Sequence, residues 1–313
     1  MTSEGPKSDG DGAVARKAYV RSLGALHGAV VLFGLSGVVG KMVAVSPMTI
    51  VFARAALAFL VLGSLVLWLR RGTAARGENR EPGCRPGVLV VTGTILAVHW
   101  VTFFQSIQVS SVAVGLLSFS TFPVFVTFLE PLLLGERFVK RDLGLALGAG
   151  VGMALVTPEF RLGNAATQGA LWGVVSGLTF AVVVVLNRRY VQRVSPVSLA
   201  AGQNGVAAVV LLPFLLLASG RFLRGAANPS PRDLLLLLFL GVCCTALAHL
   251  LYLWSLRRVR AHTASLVTTL EPVYGILFAL PLAHEIPNVR TWIGGGVILA
   301  VAMVATRAKR SAQ

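Results

Sequence analysis

Between residues 23 and 306 the chain runs as ten apolar segments of roughly 15 to 23 residues, parted by short polar knots, at 23–42, 50–69, 88–107, 112–134, 143–157, 169–187, 199–218, 234–256, 261–282 and 292–306. A helix needs about 20 apolar residues to cross some 30 Å of hydrocarbon, and runs of that length are too long for barrel strands. Lipid offers backbone N–H and C=O groups no partner, so such runs must be helical. Composition points the same way: 55% of the 313 residues are hydrophobic and 13% charged, whereas a soluble domain carries about a quarter charged. By length alone two soluble domains would fit, but they could not hide this much apolar sequence under so little polar surface. The expected fold is therefore an all-α integral membrane protein with ten transmembrane helices. Residues 1–20, polar and Gly-rich, are expected to be a disordered cytoplasmic tail rather than a signal peptide, and 307–313 a basic cytoplasmic tail.

The formal charge is +16, a value that could advertise nucleic-acid binding, so the positions of the cations decide its meaning. With the N-terminus inside, the inner tail and loops receive 21 of the 28 Lys and Arg and the outer loops six, leaving Arg54 inside the second helix. Cytoplasmic loops are enriched in these residues, so both termini are placed in the cytoplasm and a nucleic-acid partner is excluded. Cys84 falls in a polar loop, and Cys243 and Cys244 are adjacent in an apolar run. That spacing makes neither a disulfide framework nor a metal site.

Sliding the sequence against itself gives an ungapped match at an offset of 149 residues. Gly24 and Gly28 meet Gly173 and Gly177, Val45-Ser46-Pro47 meets Val194-Ser195-Pro196, and Ala58, Ser106, Leu117, Pro123 and Glu136 meet Ala207, Ser255, Leu266, Pro272 and Glu285. Each half holds five spans, an odd number, so equivalent helices run in opposite directions. The expected repeats are 21–157 and 168–306, an inverted pair of five plus five with the solute site between them.

The stretch His99-Trp100-Val101-Thr102-Phe103-Phe104, followed by Thr121-Phe122-Pro123-Val124-Phe125 and Leu134-Gly135-Glu136-Arg137, resembles the first repeat of EamA-type carriers of the drug/metabolite transporter superfamily. The second copy, from Ser265-Leu266 through Leu270-Glu271-Pro272-Val273 to His284-Glu285, resembles its partner. His284, where the first half has Gly135, departs from the repeat. The resemblance implies ten helices and movement of small organic metabolites across a bacterial inner membrane, often outward.

Glu271 is the acidic residue expected nearest the middle of a span, in the ninth helix. A carboxylate there is costly unless protonated, paired or wetted by a cavity, so a functional role is the default. Glu271 either lines a central cavity, binding an amine-bearing solute or exchanging a proton, or bonds backbone groups freed by Pro272. Pro123 and Pro272 sit at equivalent mid-helix positions and should kink both helices, as gating elements or as static bends. Helical spacing sets Thr268, Glu271, Gly275 and Phe278 on one stripe of the ninth helix, against the apolar Phe119, Phe122, Val126 and Leu129 of the fourth. His99 with Trp100, and His249 with Tyr252, fall mid-way along the third and eighth helices, where imidazole could titrate or bond to a solute, or bond to a neighbouring backbone or hydroxyl group. Arg54 lies about five residues into the second helix, within snorkelling reach of the outer interface, or else contacts an anion or Glu271. Lys41 reads as an interface anchor, the paired glycines as close-packing points, and Glu136 and Glu285 as structural groups beside Arg137 and Arg290.

The substrate-binding set is therefore Glu271, His99, Trp100, His249, Tyr252, Thr268 and Arg54, with Pro123 and Pro272 for gating and no catalytic or metal residues. The expected function is a secondary transporter that moves a small organic metabolite or drug-like compound across the inner membrane by alternating access, as an exporter. Partners are a small-molecule solute, the bilayer, a proton as candidate coupling ion and a second copy of the chain as candidate subunit. No cofactor is expected, and no phosphate-binding loop for ATP occurs in the sequence. The rival classes are a membrane-embedded enzyme acting on a lipid-linked substrate and an oligomeric channel.

Overall fold

The computed structural model describes residues 9–75, 84–134, 141–156, 161–222, 229–259, 264 and 267–308. The described residues are helical with short turns and contain no strand. The first half holds α1 (Asp9–Met42), α2 (Pro47–Ala75), α3 (Pro86–Val109), α4 (Val112–Phe119), α5 (Phe122–Leu134) and α6 (Arg141–Val156). The second half holds α7 (Ala165–Tyr190), α8 (Pro196–Phe222), α9 (Pro231–Gly241), a π-helical turn at Val242–Leu247, α10 (Ala248–Ser255), α11 (Glu271–Leu282) and α12 (Val289–Ala308).

Among the described residues seven helical stretches are long and apolar enough to cross a membrane: Arg16–Met42, Pro47–Gly72, Pro86–Val109, Val112–Leu129, Ala165–Tyr190, Pro196–Leu217 and Pro231–Ser255. Three shorter apolar helices, Leu147–Val156, Glu271–Leu282 and Val289–Val301, stand where the fifth, ninth and tenth segments were expected. The polarity is inverted relative to a soluble protein. Leu132 and Leu217 are 78% and 80% exposed while Arg54 and Glu271 are 2% and 4% exposed, which suits a surface bathed in lipid.

Helix pairing repeats with the halves exchanged. In the first half α3 packs on α7; in the second the equivalent α10 packs on α1. Likewise α7 packs on α4 and α5 as α1 packs on α11, while α2 with α8, and α6 with α12, pair with their own equivalents.

Four expectations need revision. The tail expected over 1–20 is helical from Asp9 onward, because Ala13, Ala15, Arg16, Lys17 and Ala18 are good helix formers that prolong α1; residues 1–8 lie outside the described part. The fourth segment is two helices, broken at Ser120-Thr121, and the ninth restarts after Thr269-Leu270, the equivalent place. Pro123 and Pro272 are thus second residues of new helices rather than kinks within continuous ones. A proline's missing N–H costs nothing in a first turn. The eighth segment contains the π turn, which hydropathy cannot signal.

The Gly pairs also differ from each other. A Cβ on Gly24 would meet nothing within 4 Å, and one on Gly28 only Leu251 at 3.9 Å. On Gly177 it would lie 2.9 Å from Phe119 O, at the break between α4 and α5. Gly34, which pattern matching did not single out, plays the same part on the other side, where a Cβ would come 2.8 Å from Gly275 N and 2.9 Å from Glu271 O. Backbone cannot yield as a side-chain tip does, so Gly177→Ala is expected to destabilise by about 1–3 kcal/mol. Gly24→Ala should be neutral or stabilising by up to about 1 kcal/mol. Thermal unfolding of the two variants in detergent checks the contrast; equal shifts would contradict it.

Lys41 is more than an interface anchor. Its Nζ donates to Ile107 O and Ser110 O, both at 2.8 Å, where α3 ends, and stands 3.9 Å from Glu285 Oε1. Glu285 Oε2 accepts from Val112 N at 2.8 Å, where α4 begins. A cation on C-terminal carbonyls and a carboxylate on an N-terminal amide both suit the helix ends they meet. Glu285 therefore pairs with Lys41, not with the expected Arg290, because the chain turns out of α11 at His284, whose φ is 53°. Glu136 and Arg137 lie outside the described residues. Lys41→Met strands two carbonyls and is expected to cost about 1.5–3 kcal/mol, less to the extent that water reaches them. Glu285→Gln keeps an acceptor for Val112 N and should cost less; thermal unfolding of both tests the order.

Candidate functional site

Between the halves lies a cavity of about 50 Å³, room for a few water molecules. Its walls come from α1, α2, α3 and α4 of one half and from α7, the π turn, α10 and α11 of the other. Of the sequence-predicted set, Arg54, His99, Trp100, His249, Tyr252 and Glu271 line it. Thr268 does not; it is buried beside Tyr252, and its hydroxyl donates to Ala264 O at 2.8 Å. Neither Pro123 nor Pro272 reaches the cavity, although each sits beside a residue of the break that does or that stacks on one, Glu271 or Phe122.

Arg54 does not snorkel to an interface. The guanidinium turns inward, Nε donating to Thr245 Oγ1 at 2.7 Å and Nη2 to Cys244 O at 3.1 Å. Both acceptors belong to the π turn, whose wider winding offers Arg54 a main-chain carbonyl that a regular helix would bond within itself. Thr245 Oγ1 in turn donates to Leu240 O at 2.6 Å. The guanidinium carbon stands 4.7 Å from the Trp100 ring centre and 5.0 Å from that of Phe104, as cation–π contacts require.

Glu271 opens α11, and among the described residues its carboxylate takes no hydrogen bond and forms no ion pair within 4 Å, Arg54 included. The alternative in which Glu271 bonds backbone freed by Pro272 thus has no bond to show for it. The carboxylate instead faces the cavity.

The two imidazoles are fixed by their neighbours. His99 Nδ1 lies 3.1 Å from Ser176 O and 2.8 Å from Ser176 Oγ, while that hydroxyl donates to His99 O at 3.2 Å. A proton on Nδ1 satisfies the carbonyl and leaves Nε2 an acceptor. His249 Nδ1 takes a hydrogen bond from Asn204 Nδ2 at 3.2 Å, which puts its own proton on Nε2. Rings close the rest: His99 packs on Phe119 and Phe180, and Phe119 stacks on Phe122. Of the two stripes expected to face each other, only Glu271 and Phe119 reach the cavity. Gly275 packs on Gly34 instead.

Three polar lining residues, besides apolar ones such as Phe33 and Phe180, lie outside the expected set. Asn187 closes the expected segment 169–187, but α7 continues to Tyr190, and the side chain is 2% exposed with Oδ1 accepting from Gln203 Nε2 at 2.6 Å. Ser36 lies within the first apolar run, and its buried hydroxyl has no hydrogen-bond partner. Thr245 becomes visible only once the π turn is known. A polar residue inside an apolar run is the available signal at Ser36 and Thr245, whereas Asn187, followed by Arg188 and Arg189, reads as a segment end.

These features define a polytopic helical membrane protein with buried charges in a cavity between two similarly packed halves. The model of the EamA-like transporter family matches residues 22–157 and again 167–307, and the chain belongs to that family. An uncharacterized transporter of Archaeoglobus fulgidus is 30% identical over 66% of this chain and 71% of its own length. The uncharacterized transporter YxxF of Bacillus subtilis is 25% identical over 86% and 84%. A biotin transporter of Escherichia coli K12 is 25% identical over 72% and 77%. A crystal structure 19% identical in sequence superposes with a TM-score of 0.62 over 94% of this chain and 99% of that one, and so shares the fold.

Proposed function

We propose that the chain is a secondary carrier that moves a small organic metabolite or drug-like compound by alternating access, outward, across a bacterial inner membrane. The three short apolar helices complete ten spans, the halves of 21–157 and 168–306 form an inverted repeat, and both termini face the cytoplasm, as the bias of Lys and Arg requires. The observation that carries the proposal is the cavity itself, lined by both halves and holding Arg54 and Glu271 without an ion pair between them. Inverted-repeat carriers keep the solute between the repeats and expose it by rocking one against the other. Bonds from Arg54 to Thr245, from His99 to Ser176 and from Lys41 to residues 107–110 and Glu285 tie helices whose relative motion would open the site. Arg54, His99, Trp100, His249, Tyr252 and Glu271 act as solute contacts, Thr268 supports Tyr252, and the breaks before Pro123 and Pro272 serve as hinges. Glu271 is the group placed to exchange a proton for solute.

The experiment is counterflow in proteoliposomes across labelled amino acids, nucleosides, cationic amphiphiles and biotin, the last because a relative bears its name. Saturable exchange of one class supports the carrier. Flux that rises linearly without saturation would make it a channel, and chemical conversion of the solute would make it an enzyme.

A further inference from the structure

The guanidinium of Arg54 carries five N–H donors in a planar fork. Nε and one N–H of Nη2 share a lateral edge, and that edge is filled by the π turn, through Thr245 Oγ1 and Cys244 O. The guanidinium carbon lies over the rings of Trp100 and Phe104. What remains is the end formed by Nη1 and the second N–H of Nη2, and Nη1 makes no hydrogen bond among the described residues. Arg54 is 2% exposed and borders the cavity. A buried cation with its lateral edge occupied and its end unfilled has one planar, bidentate position left, and a carboxylate matches it.

We infer that Arg54 is a carboxylate-recognition fork whose aim is set by the π turn, with Thr245 as the positioning residue. Thr245 is suited to this because its hydroxyl has both of its roles assigned: the proton goes to Leu240 O and a lone pair receives Arg54 Nε. Removing the hydroxyl frees the guanidinium to rotate on its flexible stem. Glu271 faces the same cavity unpaired, so a carboxylate bound at Arg54 arrives either with its own cationic group or with a proton for Glu271; otherwise two anions would share a low-dielectric space. The inference rests on the carrier reading and narrows its solute to compounds bearing a carboxylate.

The test uses the full chain and probe pairs alike in shape, one acid and one neutralised at the carboxyl group: phenylalanine and phenylalaninamide, 3-phenylpropionate and its amide, biotin and biotinamide. Binding to purified protein is read by thermal shift, and exchange by counterflow, for wild type, Thr245→Val and Thr245→Ser. At least one acid is expected to bind and exchange about tenfold or more better than its amide in wild type, as loss of a charge-assisted bond implies. That preference should fall below about threefold in Thr245→Val and return in Thr245→Ser. Equal treatment of acids and amides, an undiminished preference in Thr245→Val, or engagement of no acid overturns the inference. If Thr245→Val does not fold, the acid-to-amide ratios of wild type and Thr245→Ser decide. If no acid is engaged while a nucleoside or cationic amphiphile exchanges saturably, the carrier reading stands without the fork; if nothing exchanges, both fall.

Discussion

Glu271→Gln is expected to lower solute exchange by about a hundredfold, the scale of losing one charged contact in a desolvated site. The substitution keeps shape and leaves no donor stranded, since the Glu271 carboxylate receives no hydrogen bond from the described residues. The variant should therefore fold and unfold like wild type, which separates a transport defect from a stability defect. If a proton travels through this position, the variant also loses its response to an imposed pH gradient, because glutamine has no proton to exchange. Glu271→Asp retains the charge on a shorter stem and should fall between the two. Unchanged rate, affinity and gradient response in Glu271→Gln would return the residue to a structural part at the break before Pro272.

Arg54→Lys should be nearly as damaging although it conserves charge. An ammonium can replace neither the pair of bonds to Thr245 and Cys244 nor the planar contact with Trp100 and Phe104. Half-saturation for exchange is expected to rise by about 10- to 100-fold, as for the loss of one or two hydrogen bonds to a charged group. Arg54→Gln, which loses the charge too, should be worse. Concentration dependence of counterflow in the three proteins, each checked for folding by thermal unfolding, gives the order; wild-type affinity in Arg54→Lys would show that the fork meets no solute.

How much of this was legible beforehand depends on what kind of signal each feature leaves. Charged and titratable residues in apolar runs stand out because their burial is expensive, and Arg54, His99, His249 and Glu271 line one cavity together with the neighbouring Trp100 and Tyr252. The prolines marked the right places in the fourth and ninth segments, but not the form of the disturbance. A missing N–H is compatible with a kink or with a restarted helix, and Ser120-Thr121 and Thr269-Leu270 take the second course. The direction of Arg54 was open for a similar reason. Depth along a helix allows snorkelling, and the π turn, which packs against α1 and α2, supplies the inward partners. Gly34 was missed because its value lies in a neighbour 237 positions away, Glu271, whose carbonyl a side chain would strike.

The carrier account turns on whether exchange saturates. Counterflow of labelled solute into vesicles preloaded with increasing unlabelled solute, for wild type beside Glu271→Gln, measures that directly. The account predicts uptake that overshoots equilibrium and saturates in wild type and nearly vanishes in the variant; linear uptake without overshoot, equal in both proteins, would contradict it.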